Sequence, residues 1–125
     1  SLHDALPIWP RYASLPVTAY KAIFPQNEED VVDKEIDMII ENHQEEKFYL
    51  FEIKHSKEKS ESQSKWLHDT NVLNRISSDK NKIACMTILY RGDTCLENDL
   101  KYVNIEEYLT ILHKQGINAV IQLIS

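Results

Sequence analysis

Glycine and cysteine are scarce in this chain of 125 residues, and each scarcity excludes a class of site. The two glycines, Gly92 and Gly116, do not form the Gly-x-x-x-x-Gly-Lys-Ser/Thr loop that cradles nucleotide phosphates. The two cysteines, Cys85 and Cys95, lie in no Cys-x-x-Cys or Cys/His cluster, which argues against a zinc site or a redox pair. Their spacing leaves a disulfide open, and an intracellular setting argues against one.

Long apolar runs are also missing. No stretch approaches the roughly 18 residues that a membrane span needs, and the N-terminus lacks the basic-then-apolar pattern of a signal peptide. With 42% hydrophobic and 27% charged residues, the chain has the composition of one compact globular domain. We therefore expect a cytoplasmic protein with no membrane partner, built as a single domain over residues 9–125.

The first eight residues read Ser-Leu-His-Asp-Ala-Leu-Pro-Ile and begin without Met. We interpret residues 1–8 as a non-native or disordered stub joined to a truncated gene, and an ordinary chain terminus is the alternative. Under the first interpretation, the domain has lost native sequence upstream.

Two short apolar runs, Glu35 to Glu41 and Lys47 to His55, dominate the first half of the chain. Both are rich in Ile, Phe and Tyr, and the polar residues 42–46 between them favour an antiparallel hairpin. Because side chains alternate along a strand, each run carries polar groups on one predicted face. These faces comprise Glu35, Asp37 and Ile39 in the first run, and Phe48, Leu50, Glu52 and Lys54 in the second.

Carboxylates inside apolar strands need an explanation, because a buried and unpaired carboxylate is costly. Mg²⁺ and Mn²⁺ take oxygen ligands, and one or two carboxylates hold them at phosphate-processing sites. Asp37 and Glu52 are candidates for those ligands, with the peptide carbonyl of Ile53 as a third. Lys54 would orient an attacking water and stabilise negative charge in the transition state. The alternative is a solvated Glu–Lys pair across the sheet, worth about 0.2–1 kcal/mol.

The sequence Ile36-Asp37, followed after the hairpin by Glu-Ile-Lys at 52–54, resembles the PD-(D/E)xK nuclease signature, with Ile in place of the usual Pro. Several longer strings look like the C-terminal domain of prokaryotic AAA-type ATPases, a domain of unknown function. They are Glu-Ile-Asp-Met-Ile-Ile, Phe-Glu-Ile-Lys-His-Ser, Ile88–Gly92 and Val103–Leu109. The resemblance covers roughly Tyr20 to Leu112. It implies an α/β fold with a restriction-endonuclease-like mixed sheet flanked by helices, in an αβββαβ core.

The function that this resemblance implies is metal-dependent hydrolysis of DNA phosphodiesters, with Mg²⁺ or Mn²⁺ as cofactor. ATP would bind only in the missing upstream ATPase domain, which would be a partner of this domain. In many such nucleases a Gln on the helix after the Glu-x-Lys strand points toward the metal, and a surface Gln is the alternative here. The implied catalytic residues are Asp37, Glu52, Lys54, Glu35 and Gln63, and the implied metal ligands are Asp37, Glu52 and Ile53.

A basic segment follows the second apolar run. Residues 54–82 carry seven Lys or Arg against four acids, in a chain of net charge −6. From Ser56 or Ser60 to about Ile76 the apolar period is 3.6, which predicts one amphipathic helix. We expect Lys57, Lys59 and Lys65 to contact the phosphate backbone of DNA. A solvated, charge-mixed helix face is the alternative.

One acid that the nuclease resemblance implies is absent. A helix is predicted over Ala13–Phe24, and in that superfamily the first helix often supplies a further carboxylate, yet no Asp or Glu occurs between Asp4 and Glu28. This lack favours a second interpretation, a catalytically degenerate nuclease fold that acts as a DNA-binding or regulatory module of the ATPase. A third is an α/β interaction domain whose strand acids form surface ion pairs.

The remaining elements follow from apolar pattern and turn residues. Lys82–Tyr90 predicts a central strand that completes a βαβ crossover, and residues 91–93 predict the turn after it. Leu100–Asn104 predicts a strand, and Ile105–Lys114 predicts a helix that ends at Gly116. The apolar segment 117–124 is either a last strand or a tail that packs on the missing ATPase portion.

Overall fold

A computed structural model of the chain describes residues 17–26, 32–97 and 99–125, except for the side chain of Glu61. These ranges contain six strands, β1 (Val17–Phe24), β2 (Lys34–Asn42), β3 (Lys47–Ile53), β4 (Ile83–Tyr90), β5 (Cys95–Glu97) and β6 (Leu100–Asn104). They also contain three α-helices, α1 (Thr70–Ile76), α2 (Ile105–Gln115) and α3 (Ile117–Ile124), and the short 3₁₀ segments Glu61–Ser64, Trp66–His68 and Lys80–Lys82. The predicted stub at 1–8 lies outside the described residues, as do residues 13–16 of the predicted first helix.

The six strands form one mixed sheet in the order β1-β2-β3-β4-β6-β5. The first three strands are antiparallel neighbours, so the predicted hairpin of β2 and β3 is confirmed. The strands β3, β4 and β6 are parallel, and β5 returns antiparallel to β6. The predicted α/β class and the parallel crossover from β3 to β4 are therefore confirmed. The carboxyl ends of three parallel strands meet at one edge of the sheet.

Each face of the sheet is covered by its own apolar cluster. The crossover-side core joins the sheet to α1 and the preceding 3₁₀ segments, and its buried members are Phe24, Ile36, Ile39, Leu50, Leu67, Val72, Ile88, Tyr90, Leu100 and Tyr102. The helix-side core joins the other face to α2 and α3, and its buried members are Ile40, Tyr49, Phe51, Leu89, Val103, Tyr108, Val120 and Ile124. The central strands are apolar on both faces because both faces are buried.

The helix predicted over Ala13–Phe24 is wrong for all its described residues, because Val17–Phe24 is strand β1. Five of the eight residues in Val-Thr-Ala-Tyr-Lys-Ala-Ile-Phe are β-branched or aromatic, and these residue types fit a pleated surface. Pairing with β2 over seven residue partners satisfies the backbone of the segment. The site therefore has a strand, and not a helix, beside β2.

The single helix predicted to end near Ile76 is also wrong, because it is divided into two 3₁₀ segments and α1. The division falls at Asp69, which has extended backbone angles and caps α1 by accepting a hydrogen bond from the N–H of Val72 at 3.0 Å. A short acidic side chain competes for backbone donors in this way and favours a helix start over a helix interior. The apolar stripe still packs inward, with Leu67 and Val72 buried.

The segment 117–124 is helix α3, so neither the predicted strand nor the predicted tail is present. Val120 and Ile124 are buried in the helix-side core. Gly116 separates α2 from α3 with a φ of 88°, a backbone conformation that glycine adopts without steric cost. No helix in the described part of the chain is long and apolar enough to cross a membrane.

Candidate metal and phosphate site

A β-bulge in β2 places Asp37. Tyr20 of β1 pairs with Ile39, but Ala22, two residues further along β1, pairs with Ile36. Between these two pairs β2 has two residues, Asp37 and Met38, whereas β1 has only Lys21. Asp37 is therefore part of the bulge. Bulges occur beside active sites because they re-aim a side chain.

The bulge corrects the predicted arrangement of faces on β2. Ile36 and Ile39, three residues apart, both pack in the crossover-side core. Strict alternation, which would put Glu35, Asp37 and Ile39 on one face, is therefore wrong. Glu35 points to the face opposite Ile36, where its carboxylate lies 3.4 Å from the Lys21 ammonium and about half of each side chain is exposed.

The Asp37 carboxylate is held by the backbone of the neighbouring strand. Regular pairing between β2 and β3 ends at Met38 and Phe51. One residue beyond, Asp37 Oδ2 accepts a hydrogen bond from the Ile53 N–H at 2.8 Å. The carboxylate takes the place of a ladder carbonyl, so its position is fixed by the end of the sheet.

Glu52 is the buried acid of the site. It lies on the same face of β3 as Leu50, as alternation predicts, and 4% of its surface is exposed. Its Oε2 lies 3.8 Å from the Lys54 ammonium, whose side chain is 36% exposed. Its Oε1 is buried and has no hydrogen-bond acceptor or donor partner among the described residues. An unpartnered carboxylate oxygen inside a protein is costly and indicates a missing proton or cation.

The environment raises the pKa of Glu52 from 4.5 to about 8. Burial is the largest cause, followed by the adjacent carboxyl group of Asp37. Lys54 acts in the opposite direction and Glu35 adds a small further increase. A carboxyl group with a pKa of about 8 is mostly protonated at neutral pH.

The two carboxyl groups and the adjacent backbone are suited to a hard cation. The candidate donors are Asp37, Glu52 and the carbonyl of Ile53, an all-oxygen set of the kind Mg²⁺ and Mn²⁺ take at phosphate-processing sites. The unpartnered Oε1 of Glu52 fits a cation, which would replace the proton that Glu52 carries at neutral pH. Within the described ranges, no three His, Cys, Asp or Glu side chains are grouped to hold a metal ion.

Gln63 has both polar atoms engaged by the loop in which it lies. Its Oε1 accepts from the Ser60 N–H at 2.9 Å, and its Nε2 donates to the Glu58 carbonyl at 2.9 Å. The side chain is nearly buried, with 9% exposed. These contacts make Gln63 a structural support of the segment that follows β3.

The three lysines predicted to contact phosphate are divided between two cavities. Lys59 and Lys65 line one of about 380 Å³. The Lys59 ammonium lies 3.1 Å from the Glu97 carboxylate, and the Lys65 ammonium lies 4.4 Å from the centre of the Trp66 ring. Lys57 lines the other cavity, a cleft of about 520 Å³ next to Lys54. Only Lys57 is thus brought to the same cavity as the candidate catalytic lysine.

Sequence reasoning missed two residues of that cleft, Arg91 and Asn104. Arg91 directly follows β4 and Asn104 ends β6, and both strands run parallel to β3. Their positions at the carboxyl ends of two predicted strands were a signal in the sequence. Parallel strands bring their carboxyl ends to one edge of the sheet, where ligands bind in open α/β sheets.

Comparison with known proteins adds no assignment: no protein-family model matches the chain, and no curated protein or solved structure is significantly similar to it.

Proposed function

We propose that this domain is a Mg²⁺- or Mn²⁺-dependent nuclease-like hydrolase of DNA phosphodiesters. The observation that carries the proposal is the buried, unpartnered Oε1 of Glu52 beside Asp37, where the pairing of β2 with β3 ends. The order of elements from β1 to β4 and the spacing Asp37…Glu52-x-Lys54 support the finer assignment to the PD-(D/E)xK type. The proposal also includes an upstream ATPase portion and a cytoplasmic setting.

A divalent cation would supply Lewis-acid activation of the phosphoryl group and a nucleophilic water at neutral pH. Asp37, Glu52 and the Ile53 carbonyl would hold it. The Ile53 N–H keeps Asp37 in place at 2.8 Å, so the ligand needs no rearrangement. Lys54 lies 3.8 Å from Glu52 and is partly exposed, so its ammonium can hold a water by hydrogen bonding and stabilise negative charge on the phosphoryl oxygens.

A matched set of carboxamide variants tests the metal site by calorimetric titration with Mn²⁺. Wild type should bind saturably, whereas Asp37→Asn and Glu52→Gln should lose that binding because each removes an anionic ligand. Glu41→Gln is the control, since Glu41 lies on the same strand and contacts Tyr20 and His43 instead. At pH 7 and below, binding should also release close to one proton, because Glu52 with a pKa of about 8 must deprotonate.

Unchanged Mn²⁺ affinity in Glu52→Gln would overturn the proposed site. Hydrolysis is then measured with labelled single-stranded and duplex DNA, and Lys54→Met should abolish turnover while Mn²⁺ binding persists. Turnover by Lys54→Met at the wild-type rate would remove that lysine from the reaction.

A second candidate function is a catalytically degenerate nuclease fold that serves as a DNA-binding or regulatory module of the ATPase. It is favoured by the lack of a third metal-ligating side chain among the described residues. Absence of Mn²⁺ binding by wild type at millimolar metal would support this module over the hydrolase.

A further inference from the structure

A cleft opens at the carboxyl ends of β3, β4 and β6, adjoining the acidic pair at Lys54. Its volume is about 520 Å³, and its lining includes Lys54, Lys57, Arg91, Asn104 and Glu106. Three lining side chains are cations at neutral pH and one is a carboxylate. The cleft is therefore basic, although the whole chain has a net charge of −6.

Two of these cations are not neutralised by neighbours. Lys57 and Arg91 are exposed, and no acidic partner for either is found among the described residues. By contrast, Lys59 lies 3.1 Å from Glu97. Unpaired cations on a cavity wall attract an anion without first breaking an ion pair.

The backbone that carries these cations is held in place. Beyond the ends of β3 and β4, the Lys54 N–H donates to the Leu89 carbonyl at 2.8 Å and the Arg91 N–H donates to the Ser56 carbonyl at 2.9 Å. The two loops also touch at Gly92, where a Cβ would lie 2.6 Å from the Lys57 carbonyl oxygen. Glycine at this position permits the close approach that fixes the spacing of Lys57 and Arg91.

Asn104, at the end of β6, is hydrogen-bonded to the turn that follows β4. Its Nδ2 donates to the carbonyls of Gly92 at 2.9 Å and Arg91 at 3.3 Å. Its Oδ1 accepts from the N–H groups of Glu106 and Glu107, which begin α2. Hydrogen bonds thus hold the segments that line the cleft together in the absence of a ligand. A preorganised site loses less conformational entropy on binding.

We infer that this cleft binds the phosphate backbone of a nucleic acid strand, next to the phosphodiester that reacts at Asp37 and Glu52. The inference rests on the proposed function for the reacting phosphate, but binding in the cleft needs no metal. Lys54 borders both places, so one strand can occupy both. The guanidinium of Arg91 suits a phosphate because it can donate two parallel hydrogen bonds.

The test is fluorescence anisotropy of a short labelled DNA single strand in EDTA, over a series of salt concentrations. The double variant Lys57→Ala/Arg91→Ala should bind about tenfold more weakly, and the slope of log K against log salt should fall by about 1.4 for two lost contacts. Both side chains are exposed and only the backbone of Arg91 is used in the fold, so folding should persist.

Two control variants distinguish the loss of contacts in this cleft from a general loss of positive charge. Lys47→Ala/Lys80→Ala removes the same charge at exposed positions where β3 begins and before β4, and should bind as wild type does. Lys57→Arg/Arg91→Lys keeps both charges and should keep the salt slope. Equal weakening in the two alanine pairs, or no binding by wild type, would overturn the inference.

Glu52→Gln distinguishes the inference from the proposed function. It should keep DNA binding in EDTA while losing Mn²⁺ binding. Loss of DNA affinity in Lys57→Ala/Arg91→Ala, together with wild-type Mn²⁺ affinity in Glu52→Gln, would support the cleft and reject the hydrolase.

Discussion

At the scale of single residues, Glu52 is a buried acid with one carboxyl oxygen that has no hydrogen-bond partner among the described residues. A carboxyl group in this position costs free energy when ionised, because burial and the Asp37 carboxylate both disfavour the charge. A glutamine would fit the same space without that cost. Retention of an acid at the buried end of β3 is therefore better explained by binding or catalysis than by folding.

The protonation of Glu52 predicts a pH-dependent stability. With a folded pKa of about 8 against 4.5 ordinarily, the native state holds a proton that the unfolded chain releases, so stability is lost as pH rises through this window. In urea unfolding with EDTA, wild type should lose about 3 kcal/mol relative to Glu52→Gln between pH 5 and pH 8. Glu41→Gln should follow wild type. A Glu52→Gln variant with the wild-type pH profile would contradict the assignment.

At the scale of elements, the turn after β4 and the start of α2 depend on one another. Asn104 caps α2 with its Oδ1 and holds the 91–92 turn with its Nδ2. Sequence patterns predicted the strand, the turn and the helix separately, because each has a local signal. The bond that joins them was not predictable, since it connects residues about twelve positions apart.

Two substitutions at Asn104 separate its two roles. Asn104→Ala removes the cap and the turn contact and should destabilise the domain by about 1–2 kcal/mol. Asn104→Asp keeps the acceptor for Glu106 and Glu107 but loses the donor, so its loss should be smaller. Urea unfolding gives the energies, and amide exchange at Glu106 and Glu107 should accelerate in the alanine variant alone. Equal exchange in both variants would refute the capping role.

At the scale of the whole molecule, the fold is a sheet covered on both faces, and α3 completes one cover. Val120 and Ile124 are buried in the helix-side core together with Phe51 and Leu89. Ile124→Ala should cost about 2–4 kcal/mol in urea unfolding, because it leaves a cavity in a packed core. Gln122→Ala, exposed on the same helix, should change stability by less than about 0.5 kcal/mol. Equal midpoints for the two variants would mean that α3 does not pack there.

The sequence by itself determined the α/β class, the hairpin of β2 and β3, the strands β4 and β6, and the inward face of the segment at 66–76. Local apolar periodicity and turn residues predict these features, because short-range sterics and burial determine both patterns. It also singled out Asp37, Glu52 and Lys54, because charged groups inside apolar strands stand out against a pattern that burial otherwise imposes.

Tertiary structure decided the rest. The strand β1 replaces a predicted helix because β2 offers it a partner, and α3 replaces a predicted strand or tail because the helix-side core has room for an apolar helix. The bulge at Asp37 and the meeting of Lys57 with Arg91 depend on register and strand order. Those are set by contacts between residues far apart in the chain, which a local pattern does not record.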